Sequence, residues 1–93
     1  MSTRPIEEQT TEDEVLTREP AKVILFNDDV HTFEEVISQL VKALRCGTDR
    51  AEALAWEAHT NGRAMVFAGE MARCVEVSSI LEEIALLTQI EVS

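Results

Sequence analysis

The sequence is poor in aromatic residues, cysteine, glycine and proline. Of its 93 residues, three are Phe, one is Trp, none is Tyr and two are Cys. Cys46 and Cys74 are too few for a disulfide scaffold or a thiolate metal cluster, and three glycines provide no phosphate-binding loop. No apolar run is long enough to span a membrane, and no apolar signal-peptide core follows Met1. We therefore expect a cytoplasmic protein whose core is built from Leu, Ile, Val and Ala.

Basic residues are scarce as well. The chain has 8 Lys and Arg against 18 Asp and Glu, a formal net charge of -10. Binding to nucleic acid phosphates requires a basic face, and so does docking on an anionic membrane. The composition argues against both partners. It favours contacts with proteins, or a site that receives a cationic group.

The first twenty residues differ from the remainder. Residues 1–20 hold six acidic side chains and two arginines, with few large apolar residues and no sustained period. Ordering such a segment costs more free energy than its burial returns. We predict a disordered acidic extension over 1–20 and one folded core domain over 21–93. That domain keeps 12 acidic and 6 basic side chains, so it is acidic in its own right.

The start of the core domain predicts a strand, a turn and a helix. Residues 22–26 form a short run of strand formers, and Asn27-Asp28-Asp29 ends it with turn-forming side chains. Thr32 and Glu35 are spaced as a capping box. Apolar residues then follow at helical spacing up to position 44, and Gly47 is expected to close that helix.

The remainder predicts a second helix to about His59, a strand over 63–67, a third helix and a strand over 88–92. On the second helix, Ala51, Leu54, Ala55 and Ala58 share one face, which we expect to be the inner one. The element order β-α-α-β-α-β predicts a small α+β sandwich: a three-stranded antiparallel sheet packed on three helices.

Two features are candidates for binding. The Asn27-Asp28-Asp29 turn is readily explained as turn chemistry, but two carboxylates and an amide oxygen can also accept hydrogen bonds from a small cation or an ammonium group. His59, near a helix end, is either a capping residue or a neutral imidazole that accepts a hydrogen bond. His31 by itself suggests a surface residue.

Metal binding and catalysis have weaker support. Asp28, Asp29, His31 and His59 show no ligand spacing on one face. The serines fall in predicted helices with no nucleophile elbow or base partner. We expect no metal, no cofactor and no enzymatic activity.

The arrangement resembles the ClpS family, adaptors that deliver N-degron substrates to the AAA+ unfoldases of the Clp protease. The residues that carry this resemblance are the strand ending in Asn27-Asp28-Asp29, the turn and amphipathic helix, and the second helix ending in His59 before Asn61-Gly62-Arg63-Ala64. The resemblance covers residues 21–92. It implies an adaptor that binds free N-termini bearing a large apolar first residue, such as Phe, Leu, Trp or Tyr.

The same resemblance implies which residues do this. The substrate ammonium would be held by Asn27, Asp28 and His59. The first side chain would enter a pocket lined by residues of the turn and the second helix: His31, Thr32, Phe33, Ala55 and Ala58.

Five pocket positions depart from the family pattern. His31-Thr32-Phe33 stands where many members have Thr-Pro-Met, and Ala55 and Ala58 replace a frequent Met and Val. We therefore expect a pocket that is wider than usual or differently shaped.

The resemblance also implies an unfoldase-facing surface around Glu70, with Arg73 nearby, and a ClpA- or ClpC-like partner. Two alternatives remain open from the sequence. One is another protein-interaction module on the same scaffold, similar in architecture to the ribosomal stalk protein C-terminal domain. The other is a small hydrolase or metal enzyme.

Overall fold

A central strand organises the fold. The computed structural model describes residues 18–93. Within them lie β1 (Pro20–Phe26), α1 (Phe33–Leu44), α2 (Thr48–Asn61), β2 (Arg63–Glu70), α3 (Met71–Glu82) and β3 (Thr88–Val92). The sheet order is β2-β1-β3, and β1 is antiparallel to both neighbours. The predicted α+β sandwich is confirmed.

The predicted acidic extension lies mostly outside the described residues. Its last member, Pro20, begins β1 and is paired with Glu70 of β2. The strand therefore starts two residues before the predicted run at Lys22. A proline is tolerated there because the first residue of a strand can do without its N–H.

Small and branched aliphatic residues form the core between the sheet and the helices. The largest fully buried side chains come from β1, β2, α1 and α3: Leu25, Leu40, Leu81, Val23, Val66, Val77 and Cys74. The four α2 residues predicted to face inward, Ala51, Leu54, Ala55 and Ala58, are all buried. Their small size lets α2 lie close to its neighbours.

The start of α1 is fixed by the predicted capping box. The Glu35 N–H donates to Thr32 Oγ1 at 3.1 Å, and the Thr32 N–H donates to Glu35 Oε1 at 2.8 Å. These bonds satisfy two of the N–H groups that a helix start leaves without partners. The box therefore places the first turn of α1 directly after the Asn27–His31 turn.

The prediction that Gly47 closes α1 is wrong. Arg45 ends the helix in the left-handed conformation, at φ 55°, and its N–H donates to Val41 O at 2.8 Å. Gly47 is extended, at φ -77°, and caps the start of α2. The left-handed conformation costs a non-glycine residue about 1–2 kcal/mol. The hydrogen bond that Arg45 makes there uses only its backbone N–H, so it does not require a glycine.

The end of α2 is held against the end of β1. Gly62 has φ 89°, and its N–H donates to Ala58 O at 2.9 Å. The carbonyl of Gly62 in turn accepts from the Asn27 N–H at 2.9 Å. This backbone link brings the last turn of α2, with His59, beside the Asn27–His31 turn.

The second half of the chain follows the predicted order with shifted ends. The strand β2 continues to Glu70, three residues beyond the predicted 63–67. The helix α3 ends at Glu82, so Ile84 lies in the turn that leads to β3, beside Ala85 at φ 65°. No helix among residues 18–93 is long and apolar enough to cross a membrane.

Candidate functional site

A cavity of about 270 Å³ lies where the end of β1 meets the start of α1 and the last turns of α2. All eight residues predicted for ammonium and side-chain binding line it: Asn27, Asp28, His31, Thr32, Phe33, Ala55, Ala58 and His59. Sequence neighbours in the turn and distant residues of α2 are thus brought together. Their roles as ligand contacts stay predictions.

Asp28 is the most constrained acceptor of the site. Its side chain is 14% exposed. Its Oδ1 accepts from the N–H groups of Val30 and His31, at 2.5 and 3.0 Å, and its Oδ2 lies 2.7 Å from His31 Nδ1. The pKa of Asp28 is lowered, chiefly by the His31 N–H bond and against the opposing effect of burial. The site therefore favours the charged carboxylate.

His31 is not the surface residue that its sequence position suggested. Its side chain is 14% exposed and forms an ion pair with Asp28 when protonated. The hydrogen bond that the His31 Nδ1–H donates to the Asp28 carboxylate raises the pKa of His31 above its usual value, and burial opposes that change. The charge of Asp28 and the Ile84 carbonyl raise the same pKa further. The ring is therefore protonated more readily in the folded protein than in an unfolded chain.

Asn27 and His59 flank Asp28 from two different elements. Asn27 follows β1 directly, and its exposed side chain lies at the cavity, while its backbone N–H is bound to Gly62. His59 lies on the exposed side of the last turn of α2 and also lines the cavity. An amide oxygen, a carboxylate and an imidazole nitrogen can each accept one N–H bond. Together they suit a group with three donors, such as an ammonium.

Three aromatic rings cluster at one side of the cavity. Phe33 lies 5.3 Å from His59 in an edge arrangement and 5.6 Å from Trp56, and Trp56 lies 5.8 Å from His59, between ring centroids. These separations are within the range in which aromatic pairs attract. Phe33 and Trp56 remain 37% and 60% exposed. The cluster orients His59 and presents apolar surface next to the polar acceptors.

The walls of the cavity combine small and large apolar residues. Ala55 and Ala58 of α2 are buried and contribute only methyl groups. Phe33 stands opposite on α1 and lines the same cavity. Two alanines leave room that longer side chains would fill, which is consistent with the expected difference in pocket shape.

Sequence reasoning missed several lining residues. They belong to β1, α1 and the segment before β3: Leu25, Phe26, Val36 and Leu86. Asp29, which the sequence offered as a candidate acceptor with the rest of its turn, also lines the cavity. The two β1 residues and Val36 could be assigned to the core from their pattern but not to a cavity wall. Leu86 follows the turn after α3, and no motif signalled that it would return to the end of β1.

The predicted unfoldase surface lies elsewhere, at the start of α3. Glu70 is exposed and is the N-cap residue of that helix. Arg73 donates to Glu76 Oε1 at 2.5 Å and to the Ala43 carbonyl at 3.1 Å, and its guanidinium lies 5.4 Å from the centre of the Phe67 ring. Arg73 therefore has intramolecular contacts of its own, whereas Glu70 is the more available of the two.

Neither the turn nor any other part of residues 18–93 brings three His, Cys, Asp or Glu side chains together as a metal site.

The family comparison covers most of the chain. The sequence profile of the family described as "ATP-dependent Clp protease adaptor protein ClpS" matches residues 17–89. Among solved structures, Agrobacterium tumefaciens ClpS2 bound to L-phenylalaninamide superposes with a TM-score of 0.76 at 23% identity. The match covers 82% of this chain and 99% of that one, and it supports the fold.

Curated relatives come from animals. The chain is similar to the E3 ubiquitin-protein ligase UBR2 of Homo sapiens, 38% identical over 58 residues, and to that of Mus musculus, 36% identical over 58 residues. Each alignment covers 62% of this chain but spans only 3% of the length of the ligase. The similarity therefore concerns one small region of those proteins.

Proposed function

Because the chain belongs to the ClpS family of ATP-dependent Clp protease adaptors, we propose that it binds the free N-terminus of N-degron proteins and delivers them to a Clp AAA+ unfoldase. The observation that carries this proposal is that Asn27, Asp28 and His59 line one cavity together with apolar residues such as Phe33 and Ala55. The ammonium group is bound by these three acceptors, and the first side chain enters the cavity.

The chemistry of the site supports an N-terminal ammonium as ligand. The Asp28 carboxylate is charged, and the ammonium supplies three N–H donors to the three acceptors. A hydrogen bond that involves a charged group is worth about 1.5–3 kcal/mol. Loss of one such bond on acetylation corresponds to a loss of affinity of about tenfold or more. The site is therefore selective for an unmodified N-terminus.

The apolar part of the cavity supports a large first residue. Its volume of about 270 Å³ is below the usual range of about 300–1,000 Å³ for drug-sized ligands. It suits one large side chain better than an extended ligand. L-phenylalaninamide, the ligand of the Agrobacterium tumefaciens protein, combines an ammonium with a phenyl side chain.

The docking partner is a ClpA- or ClpC-like unfoldase, which contacts the surface around Glu70. The acidic extension, residues 1–20, assists transfer of the substrate, and the work takes place in the cytoplasm. A stalk-like interaction module without a pocket would leave the cavity and its acceptors unexplained. The adaptor role accounts for both.

The test is a comparison of two peptides that begin with Phe and differ only in N-acetylation. The free peptide is expected to bind, and the acetylated one to bind at least about tenfold more weakly, because it lacks the charged donors. Fluorescence anisotropy of peptides labelled at their C-termini measures both. Asp28→Ala should weaken only the free peptide. Equal binding of the two peptides would contradict the proposal.

A further inference from the structure

The Asp28 carboxylate has little capacity left for a substrate. A carboxylate offers about four lone-pair positions. Two bonds from the Val30 and His31 N–H groups reach Oδ1, and the His31 ring reaches Oδ2 at 2.7 Å. One position remains, on the oxygen that the ring already contacts. A ligand ammonium at Asp28 must therefore share Oδ2 with His31.

The His31 ring lies against the Asp28 carboxylate. Its Nδ1 lies 2.7 Å from Asp28 Oδ2, and the two groups form an ion pair when the ring is protonated. An opposite charge this close favours the imidazolium over the neutral ring. The positive charge of the His31 imidazolium lies beside the carboxylate at which the ligand ammonium would place a second positive charge.

The titratable and charged groups near His31 come from its own turn and from the neighbouring helices. Asp28 and Asp29 belong to its own turn, Glu35 to α1 and His59 to α2, and the turn after α3 contributes the Ile84 carbonyl. Among these, Asp28 has the largest effect on the pKa of His31. A ligand that shares the Asp28 charge therefore weakens the strongest interaction that keeps the ring protonated.

We propose that His31 is a positioning residue of the ammonium site: its Nδ1–H aims the Asp28 carboxylate, and its Nε2 proton is released to solvent when a substrate ammonium binds. The inference rests on the proposed function. After the release, the neutral ring keeps its Nδ1–H bond to Asp28, so the carboxylate remains oriented. Ammonium binding is thereby coupled to the loss of one proton.

The coupling is measured directly by nuclear magnetic resonance. The chain has only two histidines, so two sets of ring signals are observed, and the spectrum of His31→Asn assigns them. The pKa of each ring is measured in the free protein and with a saturating peptide that begins with Phe. We expect the pKa of His31 to fall by about one unit or more in the complex, because a like charge nearby disfavours the imidazolium.

Calorimetry provides the second measurement. Binding heats are compared at about pH 6.5, near the ordinary pKa of histidine, in phosphate and in Tris, which differ in heat of ionisation. The wild type is expected to release a proton fraction that His31→Asn does not release. The asparagine amide keeps a donor for Asp28 but carries no titratable charge. His31→Gln serves as a second uncharged variant.

The outcomes separate this inference from the proposed function. If the peptide binds while the pKa of His31 stays the same or rises, the inference is overturned and the adaptor function stands. Equal heats in both buffers for the wild type overturn it in the same way. If the peptide binds at no pH, both the inference and the proposed adaptor function are contradicted. A lowered pKa of His59 alone also overturns it, because the released proton then comes from the other ring.

Discussion

The Asn27 N–H donates a hydrogen bond of 2.9 Å to the Gly62 carbonyl. This backbone contact joins the turn after β1, which carries Asn27 and Asp28, to the residue that follows the helix of His59. The two halves of the proposed ammonium site are far apart in the sequence. Their separation in space therefore depends on the conformation of Gly62.

Replacing Gly62 by alanine is expected to destabilise the protein by about 1–2 kcal/mol, because a Cβ is unfavourable in the left-handed region. Gly62 has φ 89°, whereas Gly47 has φ -77°, and at both glycines an added Cβ would meet none of the described atoms within 4 Å beyond its chain neighbours. Gly47 is the N-cap residue of α2, where serine is preferred, so Gly47→Ser is the control and should cost clearly less. Urea denaturation measures both variants. Equal losses would show that the left-handed conformation is not the cause.

The capping box gives a second prediction. Thr32→Ala removes the hydroxyl that accepts from the Glu35 N–H and is expected to lower the free energy of unfolding by about 1 kcal/mol. Thr32→Ser retains the hydroxyl and should recover most of that loss. Chemical denaturation of the three proteins checks this. If serine is no better than alanine, the methyl group rather than the cap is responsible.

Pocket size can be tested at Ala55. Ala55→Met places a longer side chain in the cavity, and overpacking of this kind costs about 1–3 kcal/mol. We expect affinity for peptides beginning with Trp or Phe to fall about tenfold or more. Ala53→Met is the control, because Ala53 lies on the exposed face of the same helix and does not line the cavity. Anisotropy titrations measure both, and unchanged binding by Ala55→Met would contradict the proposed pocket.

The ion pair between Asp28 and His31 predicts a pH dependence of stability without ligand. Because folding raises the pKa of His31, its contribution is complete below the ordinary histidine pKa of about 6.5 and disappears as the pH rises through the folded value. Asp28 has a lowered pKa, so its contribution persists well into the acidic range and is lost only as the pH falls through that lowered value. The pair stabilises the fold between these limits.

His31→Asn isolates this effect, since His59 is present in both proteins. The urea midpoint of the wild type should exceed that of the variant at about pH 5.5, and the difference should shrink at about pH 8.5. A difference that is the same at both values would mean that the charge of the ring does not stabilise the fold.

Trp56 reports on the site. It is the only tryptophan, it is 60% exposed, and its ring centroid lies 5.6 Å from that of Phe33 and 5.8 Å from that of His59. A peptide that covers part of this ring should shift its emission to shorter wavelengths. A fluorescence titration with the free peptide measures the shift, and the acetylated peptide at the same concentration is the control. An unchanged spectrum at saturation would place the peptide away from Phe33 and Trp56.

Local signals carried most of the fold prediction. The capping box at Thr32 and Glu35 depends on residues within one turn of each other, so the sequence pattern was sufficient to predict it. The prediction that Gly47 closes α1 was wrong because Arg45 adopts the left-handed conformation that glycine usually supplies. The helix therefore ended two residues earlier than its composition suggested.

The residues of the candidate site were predicted from the family resemblance and not from composition or periodicity. The position of His31 in the turn suggested a surface residue, because nothing in the sequence indicates that its ring turns back to Asp28. Leu86 was missed for a related reason. Its contribution to the cavity depends on the path of the chain after α3, which is set by tertiary packing rather than by a local motif.

The central position of β1 has a thermodynamic consequence for recognition. Its last residue, Phe26, is paired with Arg63 of β2, and its N–H donates to the Leu87 carbonyl at 3.0 Å. Asn27 and Asp28 thus follow a segment that is anchored on both sides. Ordering of binding groups is a substantial part of the entropic cost of association. Because the backbone that carries these proposed acceptors is ordered before any ligand arrives, the binding that we propose would cost little backbone entropy here, and more of the interaction free energy would remain for discrimination between N-termini.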